Sequence, residues 1–482
     1  MTTDIRNLEP KALWNNFADL NAVPRPSKKE EKVRQFMMNF AEKHDLDALI
    51  DPVGNVIIKK PATKGMENRK TIVMQSHLDM VHQKNNDTKF DFETQGIKMY
   101  IDGDWVTAEG TTLGADNGLG VAAIMSVLQS DDIAHPSIEA LFTIDEETGM
   151  TGALGLQAGY LTGEILLNLD TEADNEIAMG CAGGIDITAM KSYSPQSVDS
   201  SSQSFKIYVK GLRGGHSGID IHKGYGNANK IMNRILFALK DEISIAEIDG
   251  GSLRNAIPRE SNAIIVCENF EKVNAIFKQT SDEIIAEYKS IEANISIGIE
   301  PCQAPENILS KSEQENLIKS VYVIHNGVFR MSPDMEGLVE TSNNLARVLV
   351  KDGEIKILCL TRSATEVGKL DLAHQVEAGL QMGGFNVKLS GSYPGWKPNM
   401  ESKILKVLQD IYFSVFQSHP DVIAYHAGLE CGILGTNYPD MDMISFGPTI
   451  QRAHSPDERA SISSTQKFWK YLLKILENIP EK

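Results

Sequence analysis

An α/β fold is expected, built on a mostly parallel, doubly covered sheet and split by an inserted α+β segment. Three observations predict it. Wholly apolar runs of strand length alternate with helix-length segments over the opening stretch of the chain. The alternation returns towards the C-terminus, from about residue 394. Between the two, the order of strands and helices becomes that of antiparallel α+β units.

In the opening stretch, 8–22 and 28–44 read as helices around the breaker Pro24-Arg25-Pro26, the second opening at a Ser27 cap. Strands follow at Val56–Lys59, Thr71–Met74, Ala140–Ile144 and Ile165–Leu169, with a helix at 117–129. The C-terminal stretch repeats the pattern: a helix at 401–416, a short segment around His426, a strand at 441–446 and a helix at 464–477. A Ser-rich linker at 192–204 leads into the middle. There, strands near 205–209, 244–248, 261–267 and 295–299 enclose helices at 226–240 and 270–289, a β-α-β-β-α-β order. From 313 the order is helix, strands 343–350 and 354–360, helix 365–382 and strand 386–390. The two halves read as degenerate copies of one ferredoxin-like unit. The expected division is a catalytic domain in two pieces, residues 1–187 and residues 394–482, with an inserted domain at 188–393.

Composition excludes several classes. The 482 residues carry 47 basic and 65 acidic side chains, a net charge of −18, which argues against nucleic acid and against an anionic membrane surface as partner. With 41% hydrophobic and 23% charged residues the chain is ordinary for a globular protein. No apolar stretch approaches the ~20 residues of a membrane span. The first residues show neither the basic nor the apolar region of a secretory signal. Five scattered cysteines without CxxC spacing exclude a disulfide scaffold and suit a reducing compartment. A cytoplasmic location is expected.

Of eleven histidines, His77, His216 and His454 stand in dense polar clusters, whereas His44, His135, His325, His374 and His419 lie alone. In Ser76-His77-Leu78-Asp79, residues two apart on extended chain share a side, so Asp79 can reach the His77 imidazole and fix its tautomer. Gly114-Ala115-Asp116-Asn117-Gly118 enters a helix, and an ordinary N-cap would also explain it. Asp145-Glu146-Glu147 follows an apolar strand, where exposed loop acids are the plain alternative. Asn168-Leu169-Asp170-Thr171-Glu172 and Arg452-Ala453-His454-Ser455 repeat the theme. All fall just past strands or at a helix start, where an open α/β sheet forms its ligand crevice. His77, Asp116, Glu146 or Glu147, Asp170 and His454 make an imidazole and carboxylate set that suits Zn2+, with Co2+ or Mn2+ as substitutes. Their number exceeds what one tetrahedral zinc needs, so a bridged pair of metals is expected.

These motifs, in order, resemble the zinc-dependent aminoacylase/dipeptidase superfamily. The strings Ser76–Val81, Arg213–Gly218 and His426–Gly432 narrow the likeness to its bacterial cytosolic aminoacyl-histidine (Xaa-His) dipeptidases, over essentially the whole chain. The resemblance implies two Zn2+ per subunit, one held by His77 and Asp170, the other by Glu147 and His454, bridged by Asp116. It implies that Asp79 orients His77 and that Glu146 is the general base. The inserted domain then corresponds to the family's lid. There His216 would donate to the oxyanion, Asn255 bind the substrate backbone, Arg362 clamp the terminal carboxylate, and Gly428 allow close approach. Asn255 as a turn residue and Arg362 as an ion-pair partner are the plain alternatives. His426 and Glu430 stand four apart, a spacing that also suits metal, but a structural role is favoured. His82 and His222 are left without a role. The implied activity is hydrolysis of unblocked dipeptides, preferentially Xaa-His, in a monomer or homodimer. A related N-acyl amino acid deacylase or a broad di/tripeptidase is the runner-up, and a metal- or peptide-binding pseudoenzyme the non-catalytic alternative.

Overall fold

A computed structural model describes residues 4–199 and 201–482. The chain forms two compact units, one made of residues up to Gly180, Pro398–Ala424 and Leu429–Lys482, the other of Cys181–Lys397 and Tyr425–Gly428.

The first unit is built on an eight-stranded mixed sheet. Its centre is parallel: Ile138–Thr143, Ile72–His77, Ile165–Asn168 and Asp442–Ser445 lie side by side in that order. The first three are buried along their whole length, as apolar strands covered on both faces must be. Towards the edges the pairing turns antiparallel, through Val56–Lys60 and Asp47–Ile50 on one side. Register decides where chemistry emerges. His77 lies opposite Thr143, Gln75 opposite Asn168, and Asn168 opposite Ser445, so the segments after these strands leave the sheet at one edge. The helix Ala115–Gln129 is buried almost throughout and packs on the sheet and on the helix Lys11–Asn21.

Two local expectations fail. Ser27 does not cap the helix Glu31–Lys43; its hydroxyl instead donates to Asp79 Oδ2 at 2.8 Å. The N-cap residue of the helix Ala115–Gln129 is Gly114, so neither Asp116 nor Asn117 caps it, and both are non-helical. A small four-stranded sheet is also new. Its hairpin Met99–Asp102/Trp105–Ala108 pairs with Arg459–Ser461, which pairs in turn with Ile450–Gln451. That last pairing closes the 452–458 loop carrying His454.

In the second unit the main sheet is antiparallel and contains a nested duplication. Gln203–Lys210, Ser244–Gly251, Ser261–Cys267 and Ser296–Pro301 are strands one to four of a ferredoxin-like copy, in spatial order 4-1-3-2. Its helices are Ala228–Leu239 and Phe270–Tyr288. Strands Gly183–Ser192, Val339–Lys351, Glu354–Ser363 and Asn386–Tyr393, with helices Lys311–Val323 and Glu366–Met382, form the second copy in the same order. Its first strand thus precedes the whole first copy in sequence. The second strands of the two copies pair antiparallel, Ile248 opposite Val350, and join both into one sheet. The Ser-rich stretch 192–204, whose residue 200 lies outside the described residues, connects the outer copy's first strand to the inner copy.

Candidate active site

Parallel register brings the acids and histidines of the first unit together. His77 Nε2 lies 3.1 Å from Asp116 Oδ1 and 3.5 Å from Asp170 Oδ1. His454 Nε2 lies 3.2 Å from Asp116 Oδ2 and 3.0 Å from Glu147 Oε2. Two triads result, His77/Asp116/Asp170 and Asp116/Glu147/His454, each able to offer ligand atoms within 4.8 Å of one another. Asp116 belongs to both, one oxygen to each. Glu146 also comes within that reach of His77 and Glu147.

The donor set fits a metal. Glu147 Oε1 is buried and has no hydrogen-bond partner among the described residues, a costly state that a cation would relieve. His77 Nδ1 lies 3.1 Å from the Asp79 carbonyl and 3.4 Å from Asp79 Oδ1, acceptors that favour the proton on Nδ1 and leave Nε2 free as a ligand. Electrostatics agree. Burial opposes a charge on His77, but Asp170, Asp116 and Asp79 outweigh it and hold the imidazole well above its ordinary range. His454 is raised to about 11 by hydrogen bonds to Asp116 and Glu147. Protons on these two rings stand where cations would.

Asp79 does more than face His77. Its Oδ1 accepts the Glu146 N–H at 3.0 Å and its Oδ2 the Glu147 N–H at 3.3 Å, so one carboxylate fixes the ring and the turn bearing both glutamates. Glu146 is raised well above the ordinary carboxyl range, by desolvation first and then by neighbouring Asp170, Glu147 and Glu430. An elevated carboxyl pKa is what a general base needs to hand its proton on. Asp145 turns away, accepting hydroxyl hydrogen bonds from Thr148 and Thr151. Its backbone and that of His454 take left-handed conformations (φ 53° and 63°), uncommon for residues other than glycine and concentrated at functional sites.

Sequence reasoning missed the polar layer beneath the cluster. Asn168 donates to Gln75 Oε1 at 2.5 Å; Gln75 and Thr143 both donate to Glu430 Oε2 at 2.6 Å. Burial, opposed by His77 and Thr143, pushes Glu430 up to about 8. Glu430 opens the helix Glu430–Asn437, whereas His426 lies in the loop before it and in the other unit, so the two do not form an i,i+4 pair on a helix. Glu172, which sequence reasoning places in the Asp170 motif without a role, is raised to about 8 by desolvation and by Asp116 and Asp170.

In the second unit, the His216 Nδ1 accepts N–H bonds from Gly218 (3.2 Å) and Ile219 (3.1 Å), which places its proton on Nε2 as a donor. Burial and the Arg362 charge depress it to about 4, so the ring is neutral at pH 7. Arg362 is 5% exposed; its Nη1 donates to the Tyr393 hydroxyl at 2.8 Å and its Nε to Ser217 Oγ at 3.4 Å, and no ion pair engages it among the described residues. His426 Nε2 meets Ser342 Oγ at 2.7 Å, a structural contact, and burial with nearby Arg362 and His216 pushes this ring down to about 3. Asn255 is exposed, its carbonyl accepting from Ser217 N–H at 2.8 Å. Gly428 is half-buried and its φ is not positive, so it does not need glycine's left-handed freedom.

Known proteins share this architecture. The chain is 41% identical over 485 residues to the cytosol non-specific dipeptidase of Escherichia coli, covering 100% of both chains. It is similar to the crystal structure of aminoacylhistidine dipeptidase from Vibrio alginolyticus, with a TM-score of 0.92 and 44% identity over 100% of this chain and 99% of that one. The aminopeptidase PepT structure from Bacillus cereus shares the fold at a TM-score of 0.58 and 16% identity, covering 98% of each. Residues 73–478 match Peptidase family M20/M25/M40, and the chain belongs to that family.

Proposed function

We propose that this chain is a metal-dependent dipeptidase that hydrolyses unblocked dipeptides, preferentially those ending in histidine, with Glu146 as general base. The observation that carries the metal requirement is the pair of triads sharing Asp116. His77 and Asp170 would hold one Zn2+, Glu147 and His454 the other, and Asp116 both. Bound there, zinc would supply Lewis acidity, lowering a water's pKa to about 7 and polarising the scissile carbonyl.

The chain's own groups do the rest. Glu146 takes a proton from the attacking water and passes it to the leaving amine. Asp79 holds the Glu146 and Glu147 amides and the His77 ring, so base and ligand keep one geometry. His216, neutral with its proton on Nε2, donates to the oxyanion that develops on the carbonyl. The Arg362 guanidinium, which no ion pair engages among the described residues, binds the C-terminal carboxylate through its fork, Asn255 binds the substrate backbone, and Gly428 lets the chain approach the carboxylate closely. The inserted unit therefore serves as the substrate-binding lid. The names of the E. coli and Vibrio relatives, both dipeptidases and one from the cytosol, support the activity and a cytoplasmic location. Among the described residues, no helix is long and apolar enough to cross a membrane.

The test is a panel of free Xaa-His dipeptides, other free dipeptides and their N-acetylated forms, assayed with the zinc-loaded protein. Preference for free dipeptides supports this reading, and a further preference for C-terminal histidine supports its finer claim. Preference for N-acyl substrates would favour a deacylase, and metal uptake without any cleavage a binding protein.

A further inference from the structure

The turn that carries Asp116 is gripped from both sides by buried charges. Glu458 is 2% exposed and accepts four successive backbone N–H groups: Oε2 those of Leu113 (2.7 Å) and Gly114 (2.9 Å), Oε1 those of Ala115 (2.7 Å) and Asp116 (3.3 Å). Successive amides pointing to one spot form an anion-binding nest, and here the chain supplies its own anion. Arg25, 1% exposed, takes the other side: Nη2 donates to the Gly114 carbonyl at 2.6 Å, Nη1 to the carbonyls of Leu78 (3.1 Å) and Asp79 (3.2 Å). Gly114 has a φ of 70°, and a Cβ there would lie 2.6 Å from Arg25 Nη2, so the grip tolerates only glycine.

The connectivity gives this grip a meaning. Glu458 stands on the His454 loop, which the pairing of Gln451 with Arg459 closes. Arg25 holds the carbonyls just after His77. The Asp116 turn, whose two oxygens face His77 and His454, is thus tied to both of the segments those histidines come from.

We propose that Arg25 and Glu458 are positioning residues: a buried clamp that sets the bridging carboxylate midway between the two cation subsites and thereby fixes the affinity of both. The inference rests on the metal sites assigned above. It assigns no step of the reaction to either residue.

The test substitutes Glu458→Gln in the full chain. The carboxamide keeps the shape but turns an NH2 towards two of the four N–H donors. Metal-free protein is titrated with Zn2+ against a competing chelator, and its unfolding is followed separately. Zn2+ affinity is expected to fall about 10–100-fold, the usual effect of losing a partner behind a metal ligand. At Zn2+ raised by the same factor, hydrolysis should recover with an unchanged KM, since the clamp touches no substrate. Glu139→Gln is the control. Glu139 is as buried and accepts the Thr162 and Gly163 amides, but at the opposite end of its strand from the cluster. It should lower stability and leave Zn2+ affinity alone. Arg25→Lys, which keeps the charge but loses the planar fork that spans the Gly114, Leu78 and Asp79 carbonyls, should weaken Zn2+ in the same direction if Glu458→Gln does not fold. Zn2+ affinity within twofold of wild type in a folded clamp variant, or an equal fall in Glu139→Gln, would overturn the clamp. Wild-type protein that takes up no Zn2+ would overturn the metal sites themselves, and the clamp with them.

Discussion

Replacing Arg362 with methionine tests the proposed recognition of the substrate carboxylate. Arg362 is buried, its neighbours Tyr393 and Ser217 are neutral, and no acid pairs with it among the described residues. Such a guanidinium has been desolvated with no acid in contact, Asp186 acting on it only through space, a cost that an incoming carboxylate offsets. Truncating one partner of a buried, hydrogen-bonded charge pair costs about 2–5 kcal/mol. At 1.36 kcal/mol per factor of ten, kcat/KM for a free dipeptide should fall roughly 30- to 5,000-fold. Arg362→Lys keeps the charge but not the fork and should lie between. The assay compares each variant on a dipeptide and on its C-terminal amide. Wild type should discriminate strongly against the amide, and the methionine variant should barely discriminate at all. If Arg362→Met lowers both substrates by the same factor, the residue supports the fold rather than the carboxylate, and the reasoning fails.

Three further outcomes follow from the geometry. Dialysis against a chelator should abolish hydrolysis and lower the melting temperature, and Zn2+ at about 100 times its Kd should restore about 2.7 kcal/mol, read by thermal unfolding. Asp79→Asn removes an acceptor for the Glu146 and Glu147 amides, so Zn2+ affinity should drop about 10–100-fold in a chelator-competition titration. The third concerns His426, which burial holds near pKa 3 against an unfolded value of about 6.5. Above the unfolded value neither state binds the proton. As pH falls towards 3 the unfolded chain takes it up and the folded one does not, so stability is lost on acidification. About 2–3 kcal/mol should disappear between pH 7 and pH 4.5, and denaturant unfolding of His426→Gln should show a loss smaller by that amount.

How much of this was legible in the sequence depended on how local each signal was. The strands Ile72–His77 and Ile138–Thr143 stood out because every residue is buried, and the ligand motifs stood out as polar groups directly behind them. Gly183–Ser192 did not. It opens with two glycines and alternates buried and half-buried positions, so the outer ferredoxin copy lacked its first strand until the sheet order supplied it. The hairpin Met99–Asp102/Trp105–Ala108 is short and half-exposed, and only its pairing with Arg459–Ser461 shows its purpose. Arg25 passed as one residue of a helix breaker, and Glu458 drew no reading at all. Apart from Asn21, which Arg25 also reaches, what they hold is backbone 53 to 345 residues away, and backbone leaves no trace in residue type. Glu430 is similar: its spacing from His426 suggested a pair, whereas its contacts are Gln75 and Thr143 on distant strands.

The central claim is that metal-dependent peptide hydrolysis runs through Glu146 as the proton carrier. The most direct measurement determines bound zinc and kcat for a free Xaa-His dipeptide in wild type and Glu146→Gln, both loaded under the same conditions. General acid–base catalysis contributes about 10²–10⁴-fold, so the variant should keep the wild-type zinc content and lose kcat by that factor. A Glu146→Gln protein with full zinc and kcat within tenfold of wild type would contradict the account.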